Sequence, residues 1–280
     1  MYTIKKILNN NVVIGLSSSR EEVVLVGSGI GFEFKKGMLI PGERVTTVFT
    51  KREEELNNNY ENILRNIDTA IVGISEEIIS FWEEKLKIKL NNAIHISLPD
   101  HINFALKRLK SGVKIENPFI MELKIMFPNE FELSSNALKM INSRFDVSFP
   151  DDEIGFICLH LRAALTEEGV NTSASYMRKI SEIMKFISKL LRKDLNKNSF
   201  EYIRTVSHIN FMYERIKYEK PIKNYLLDSI KNELYIEFNM ALKVGLKFGN
   251  LFNVEVPEDE IGYIALHLRR LKEIEGDKSE

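Results

Sequence analysis

The chain contains the stretch Asp152-Glu153-Ile154-Gly155-Phe156-Ile157-Cys158-Leu159-His160-Leu161-Arg162, and later it contains Asp259-Glu260-Ile261-Gly262-Tyr263-Ile264-Ala265-Leu266-His267-Leu268-Arg269. A shorter stretch, Asp100-His101-Ile102-Asn103-Phe104, recurs at the same offset as Ser207-His208-Ile209-Asn210-Phe211. The shared period is too long for a solenoid repeat and matches the size of a small domain. The sequence therefore predicts two homologous domains in tandem.

Four of the five histidines lie in these duplicated stretches, where His101 aligns with His208 and His160 aligns with His267. A residue whose charge changes near neutral pH, kept in the same two positions of both domains, predicts histidine chemistry. The fifth histidine, His95, aligns with Tyr202 and is predicted to be structural.

Two hydrophobic periods divide the chain. In the first part, β-branched residues alternate with polar ones, which is typical of short strands. From Glu53 onward the apolar residues recur at spacings of three and four, which is the helical period. The predicted strands are Tyr2–Leu8, Asn11–Leu16, Glu22–Val26 and Arg44–Thr50. We predict a multidomain protein with a small antiparallel β-sheet domain followed by two homologous all-α helical-bundle domains. The predicted limits are 1–55, 56–170 and 171–280.

The charge is uneven along the chain. The whole chain has a formal net charge of −1, but its first 52 residues hold eight lysines or arginines against four glutamates. A basic β module on a mildly acidic helical body indicates a polyanionic partner for the first part alone. A chance excess of basic residues in so short a segment is the alternative.

The single cysteine, Cys158, lies in the apolar run of a predicted helix, so we expect a buried thiol and no disulfide framework. Residues 1–16 lack the apolar core of a signal peptide, and the sequence has no run of 18 apolar residues. We therefore predict a cytoplasmic protein without membrane insertion.

The two kinds of histidine are predicted to have different settings. In a helix that starts at Asp152, His160 lies about 120° from the centre of the apolar stripe, at the margin of the core. His101 follows Ser97-Leu98-Pro99-Asp100, which has the spacing of a capping box with proline in the first turn. His101 is then expected in the first turn of a helix, where free N–H groups stabilise a negative group.

Other chemistries find little support. Within each domain the two histidines lie far apart in the sequence and no Cys/His cluster or His-Glu-x-x-His is present, so we predict no metal site. The segment Gly27-Ser28-Gly29-Ile30-Gly31 lacks the endings of phosphate-binding loops, and no nucleophile elbow occurs. We expect no catalytic residues, no cofactor and no enzyme activity.

Taken as a set, these motifs resemble transcriptional antiterminators of the BglG/SacY/LicT type. The resemblance covers the whole chain and rests on Lys5-Lys6-Ile7-Leu8-Asn9-Asn10-Asn11-Val12, on Val26-Gly27-Ser28-Gly29-Ile30-Gly31-Phe32 and on the duplicated histidine motifs. Ile94-His95-Ile96-Ser97-Leu98-Pro99-Asp100-His101 looks most like the glucose-type branch, with a β-glucoside-type member as the alternative.

The resemblance implies an amino-terminal RNA-binding domain that acts as a homodimer. This domain binds a hairpin in a leader transcript and prevents an overlapping terminator from forming. It also implies two phosphotransferase-system regulation domains, whose histidines accept phosphoryl groups from the phosphocarrier HPr and a sugar-specific enzyme II permease. The implied phosphorylation sites are His101, His160, His208 and His267. We hypothesise that His101 is the inhibitory acceptor, and Arg162 and Arg269 are candidate partners of the phosphoryl groups.

By the same resemblance, polar amides, glycines and one aromatic residue of the β domain face the RNA. The implied RNA-binding residues are Lys6, Asn9, Asn10, Asn11, Gly27, Ser28, Gly29 and Phe32. Ser28 replaces a basic residue that is common in the family, and Lys35 and Lys36 are candidates to supply the missing charge. A DNA-binding activator and a phosphohistidine relay protein remain alternatives, although neither a helix-turn-helix nor a pocket signature is present in the sequence.

Overall fold

The computed structural model describes residues 1–8, 10–18, 20–27, 29–45, 47–49, 67–166 and 169–273. The chain forms two compact units. The first unit consists of Met1–Asn117 and Asn129–Val170, and the second consists of Pro118–Pro128 and Asn171–Glu280. The predicted limit between residues 55 and 56 lies outside the described residues.

The β module is a five-stranded antiparallel sheet in the order β4-β1-β2-β3-β5. Its strands are β1 Tyr2–Ile7, β2 Val12–Leu16, β3 Glu22–Val26, β4 Leu39–Ile40 and β5 Thr47–Phe49. The predicted antiparallel β domain is confirmed. The edge strand β4 has only two residues, which is too short to show an alternating pattern in the sequence, and for that reason it was not predicted.

The rest of the described chain is helical, which confirms the predicted all-α domains. One short helix, α1 Ile30–Glu33, lies within the β module. The helices of the first repeat are α2 Thr69–Leu86, α3 Ile94–Lys110, α4 Ile120–Met126, α5 Pro128–Phe145 and α6 Asp152–Thr166. The helices of the second repeat are α7 Val170–Leu191, α8 Phe200–Lys217, α9 Leu227–Glu233, α10 Tyr235–Phe252 and α11 Glu258–Glu273. The helix order is the same in both repeats.

Opposite faces of the sheet contribute to different cores. One face forms the core of the β module itself, with Ile4, Val13, Val23, Leu25, Ile30 and Ile40. The other face contributes Val12, Val24 and Val26 to the hydrophobic cluster that contains Ile71 and Ile74 of α2. The β module is therefore packed against the first helix of the first repeat, within the same compact unit.

The start of α3 differs from the prediction. The helix begins at Ile94, where the Asn91 side chain accepts a hydrogen bond from the Ala93 N–H at 2.9 Å. Pro99 lies inside this helix and His101 lies near its middle, so the expectation of a first-turn position for His101 is wrong. The cost of an internal proline is about 3 kcal/mol. Burial of the apolar stripe on both sides of Pro99, which includes Ile94, Leu98 and Ile102, offsets it.

A duplicated contact lies in the first turn of the two helices that carry the second histidine of each pair. The Asp152 carboxylate accepts a hydrogen bond from the Asn117 N–H at 2.6 Å, and the Asp259 carboxylate accepts one from the Asn224 N–H at 2.8 Å. Carboxylates are also favourable in the first turn of a helix because they face the positive end of the helix dipole. The same contact therefore joins Asn117 to α6 and Asn224 to α11.

Helix α4 belongs to the second compact unit, although it precedes α5 in the first repeat. Its residue Glu122 is buried and accepts hydrogen bonds from the Tyr202 hydroxyl at 2.5 Å and from Lys197 Nζ at 2.9 Å. Burial and the bond to Glu122 raise the pKa of Tyr202. These contacts attach α4 to α8 through a charge-assisted network.

His95 is buried in α3, as expected of a structural residue. Its Nδ1 atom lies 2.9 Å and 2.8 Å from the two carboxylate oxygens of Glu76 in α2. Burial lowers the pKa of His95, but the charge of Glu76 and its hydrogen bond outweigh burial and raise that pKa above its ordinary value of 6.5. Glu76 and His95 align with Ile183 and Tyr202 in the second repeat, so this polar pair is specific to the first.

Two further observations concern the helices. Among the residues that the structure describes, no helix is both long enough and apolar enough to cross a membrane. Cys158 is buried, as predicted for a thiol inside a helix core, and burial raises its pKa to about 12.

Candidate functional site

The fold brings the two histidines of each repeat into contact. In the first repeat, His101 on α3 and His160 on α6 have ring centroids 4.6 Å apart. In the second repeat, His208 on α8 and His267 on α11 have centroids 4.7 Å apart. The members of each pair lie far apart in the sequence, and helix packing alone unites them. The duplicated motifs thus form two equivalent sites.

In the first site a buried carboxylate joins a histidine to an arginine. Glu153 accepts a hydrogen bond at 2.7 Å from His101 Nε2 on one oxygen and another at 2.7 Å from Arg108 Nη2 on the other. The Glu153 side chain is 1% exposed, whereas that of His101 is 13% exposed. The Arg108 guanidinium also lies over the rings of Phe104 and Phe156, at 5.7 Å and 5.3 Å. His101 is therefore held from inside while its ring stays within reach of solvent.

The second site has the same residue types in a different arrangement. Arg215 donates to both oxygens of Glu260, from Nε at 2.7 Å and from Nη2 at 2.9 Å. His208 Nε2 lies 3.5 Å from Glu260 and makes no hydrogen bond within the described part of the chain. The carboxylate shared between histidine and arginine in the first site is thus bound to arginine alone in the second.

Sequence reasoning missed the arginine and the role of the glutamate in both sites. Arg108 aligns with Arg215 at the same offset as the histidines, and Glu153 aligns with Glu260. Alignment of the two repeats could therefore have identified these residues as part of the site. The arginines that were proposed as phosphoryl partners bind elsewhere. Arg162 donates to Glu130 at 2.9 Å, and Arg269 donates to Glu273 at 2.6 Å.

Burial holds His160, His208 and His267 in the neutral form near pH 7. Burial and the neighbouring His101 place the pKa of His160 well below its ordinary value. Burial, followed by the charge of Arg215, lowers the pKa of His208 to about 4. Burial, followed by His208 and two arginines, lowers the pKa of His267 to about 3. A neutral imidazole keeps a lone pair on one ring nitrogen and can act as a nucleophile near pH 7.

We expect the ring signals of His208 and His267 to stay constant between pH 5 and 8 in long-range ¹H–¹⁵N NMR spectra. Both rings become protonated only below pH 5, because their pKa values lie near 4 and 3. His208→Ala and His267→Ala assign the signals. A ring that titrates with its ordinary pKa near 6.5 would show that burial does not control it.

The predicted RNA-facing residues all belong to the β module, but they differ in exposure. Lys6, Asn10 and Phe32 are exposed, and Phe32 is 80% exposed. Asn11 is buried, where its side-chain oxygen accepts a hydrogen bond from the Gly29 N–H at 2.8 Å. Asn9 and Ser28 lie outside the described residues.

The glycines of this segment are required by its backbone. A Cβ atom on Gly27 would lie 2.2 Å from the Arg44 carbonyl oxygen. Gly29 has a φ of 71°, in the left-handed region that favours glycine. Backbone bonds from Gly27 N–H to Asn11 O and from Gly31 N–H to Asn10 O tie the turn to the end of the neighbouring loop. These bonds therefore hold Gly27 and Gly31 beside the loop that carries the exposed Asn10.

Comparison with known proteins gives the family. A CAT RNA binding domain model matches residues 2–58, and a PRD domain model matches residues 76–164 and again 181–271. The chain belongs to the transcription antiterminators with a CAT domain and two PRDs.

Relatives of this antiterminator match it over almost its whole length. It is 30% identical to the transcription antiterminator LicT of Bacillus subtilis, over 96% of this chain and 98% of the relative. It is 31% identical to the beta-glucoside operon antiterminator of Dickeya chrysanthemi, over 96% of both chains. It is also 31% identical to the protein GlcT of Staphylococcus aureus strain RF122, over 97% of both chains. These matches confirm the family that the motifs indicated.

A solved structure supports the same conclusion for the first part of the antiterminator. The crystal structure of GlcT CAT-PRDI is similar with a TM-score of 0.52 and 37% sequence identity, over 59% of this chain and 98% of that chain.

In the described residues, no cluster of three or more His, Cys, Asp or Glu side chains is suited to hold a metal ion.

Proposed function

We propose that the antiterminator binds a hairpin in a leader transcript through its β module and so prevents terminator formation in a sugar-uptake operon. The match of residues 2–58 to an RNA-binding domain carries the proposal. The exposed residues Lys6, Asn10 and Phe32 contact the RNA. The buried Asn11, together with Gly27 and Gly29, shapes the turn that presents them. Asn9 and Ser28 complete the proposed RNA-binding set.

The proposed active form is a homodimer, as the resemblance of the β module to the family implies. The proposed domain limits are 1–55, 56–170 and 171–280. The protein acts in the cytoplasm, where leader transcripts are made, and it is a phosphoacceptor rather than an enzyme.

We further propose that His101, His160, His208 and His267 accept phosphoryl groups from HPr and a sugar-specific enzyme II. Two geometric facts support this role: each pair lies ring to ring, and beside each pair a buried glutamate is bound to a half-buried arginine. A phosphoryl group brings about two negative charges to such a site. That charge sits close to a buried carboxylate and an arginine, so phosphorylation is expected to rearrange the contact between the two helices that bear the pair.

His101 remains our candidate for the inhibitory acceptor. Its position in the middle of α3 removes the argument from the helix dipole. The remaining support is the contact with Glu153 and the solvent-reachable ring. A His101→Ala variant is expected to be active without sugar in a reporter strain.

The RNA proposal is tested by fluorescence anisotropy with the full chain and the hairpin encoded upstream of the neighbouring sugar-transport gene. We expect tight binding to the hairpin that weakens as salt rises, and no comparable binding to duplex DNA of the same sequence. Replacing Phe32 by alanine should weaken binding by about 1–3 kcal/mol, the range for stacking of an aromatic ring on a base.

The matched control is Phe200→Ala, which removes another exposed aromatic side chain, in α8 of the second unit. This variant is expected to bind the hairpin like the unmodified protein. Equal binding to hairpin and duplex DNA would overturn the proposal in favour of a DNA-binding activator.

A further inference from the structure

The two nitrogens of the His101 ring have different surroundings. Nε2 lies 2.7 Å from a buried oxygen of Glu153, which can only accept a hydrogen bond while it is ionised. The other oxygen of Glu153 accepts a hydrogen bond from Arg108 Nη2 at 2.7 Å, so both oxygens act as acceptors. Nδ1 makes no hydrogen bond to any residue that the structure describes and is not among the fully buried polar atoms.

This arrangement selects one tautomer of the neutral ring. A carboxylate that accepts from Nε2 requires the proton on Nε2, so the lone pair must reside on Nδ1. Rotation of the ring to offer Nε2 instead would break a buried, charge-assisted hydrogen bond and leave the carboxylate with Arg108 only. The nucleophilic nitrogen is therefore fixed by a residue that lies behind the ring.

We propose that Glu153 is a positioning residue that directs phosphoryl transfer to Nδ1 of His101. This inference rests on the proposed function, because it requires that His101 be a phosphoacceptor. It adds the atom that accepts the group and the residue that selects it.

The transfer step conserves atoms and electrons between the two rings. The Nδ1 lone pair forms a bond to the phosphorus of a donor phosphohistidine, and the donor N–P bond breaks with its electron pair returning to the donor ring. The donor ring, cationic while phosphorylated, becomes neutral. The His101 ring keeps the proton on Nε2 and becomes an imidazolium that carries the phosphoryl group. Glu153 then faces a full positive charge at hydrogen-bond distance, so its interaction strengthens as the bond forms.

In the second site the carboxylate makes no hydrogen bond that would select the nitrogen of its histidine. Both oxygens of Glu260 are bound by Arg215, and His208 Nε2 lies 3.5 Å from the carboxylate. The two PRDs thus contain the same residues but differ in whether the carboxylate holds the histidine. We expect Glu260 to have a weaker effect on its histidine than Glu153 has on His101.

The assignment is tested on the full, unmodified chain, phosphorylated by HPr or by the sugar-specific enzyme II with phosphoenolpyruvate and enzyme I. After proteolysis at alkaline pH, mass spectrometry locates the phosphorylated histidine, and ³¹P–¹H NMR with isomer-selective antibodies identifies the nitrogen. We expect the Nδ1 isomer at His101. The Nε2 isomer there would overturn the assignment and leave the acceptor role intact, whereas no label at His101 from either donor would overturn both.

A variant then tests the role of the carboxylate. Glu153→Gln is expected to slow transfer to His101 by about 10- to 100-fold, the range for loss of a hydrogen bond to a charged group, and to mix the two isomers. Glu130→Gln, which removes a carboxylate paired with Arg162 in the same unit, should leave rate and isomer unchanged. A slowed Glu153→Gln variant that still gives the Nδ1 isomer alone would show that the residue is structural and does not select the nitrogen.

Discussion

Replacing His95 by phenylalanine is expected to lower the free energy of unfolding of the first unit by about 3–5 kcal/mol, the cost of removing one partner from a buried ion pair. The Glu76 carboxylate would stay in the interior without the imidazole that lies 2.8 Å and 2.9 Å from its oxygens. Trp82 reports the change, because it is the only tryptophan, is fully buried in α2 and donates to the Leu133 carbonyl oxygen. The measurement is urea unfolding followed by tryptophan fluorescence at pH 6.

The second repeat supplies the control for this experiment. There the aligned residues are Ile183 and Tyr202, both buried in one apolar cluster. The double variant Glu76→Ile/His95→Phe replaces the polar pair by apolar residues like those of the second repeat. Phenylalanine is used instead of tyrosine because the Tyr202 hydroxyl donates a hydrogen bond to Glu122. Since a buried ion pair is often no better than apolar residues of similar volume, we expect the double variant to recover most of the loss. A double variant as unstable as the single one would assign the loss to side-chain volume rather than to the buried carboxylate.

The same pair makes the stability of the first unit depend on pH. The folded state raises the pKa of His95 above 6.5. The stabilisation that follows from the raised pKa is therefore complete below pH 6.5 and is lost as pH rises through the folded-state pKa. The double variant should lack this decline, because it has no titrating group at these two positions.

The fold class could be predicted because the two hydrophobic periods are local properties of the sequence. Strand alternation in residues 2–26 and the spacing of apolar residues in α7 are visible without knowledge of any partner. The start of α3 was misplaced because the capping residues and Pro99 are local signals, whereas burial of Ile94 and His95 depends on helix α2. Tertiary packing outweighed the local preference.

The histidines of the candidate site could be predicted from the sequence, but the residues that surround them could not. The repeat identified His101 and His160 as a matched set, and the pairing of their rings followed from the packing of α3 against α6. The bond between Glu153 and His101 joins residues 52 positions apart, and no period along one helix contains it. The difference between the two sites was also hidden, because both contain the same Glu, Arg and His types. The two sites differ in which side chain donates a hydrogen bond to each carboxylate oxygen.

Replacing Gly27 by alanine is expected to reduce hairpin affinity by about tenfold or more, which corresponds to about 1.4 kcal/mol. The added Cβ would lie 2.2 Å from the Arg44 carbonyl oxygen and 2.9 Å from a methyl carbon of Ile30. A backbone oxygen cannot move aside as a flexible side chain can, so the turn that precedes Phe32 must shift. Overpacking of this kind costs about 1–3 kcal/mol, which is a large share of the stability of so small a module. The measurement is anisotropy with the leader hairpin.

Gly42→Ala provides the matched control, because a Cβ at Gly42 meets nothing within 4 Å in the same module. This variant should bind the hairpin as the unmodified protein does. Thermal unfolding of both variants separates a shifted turn from an unfolded module, since a shifted turn loses affinity at temperatures where the module is still folded. Unchanged affinity in Gly27→Ala would mean that the turn between β3 and α1 does not position the RNA-facing residues, and the proposed surface around Phe32 would have to be abandoned.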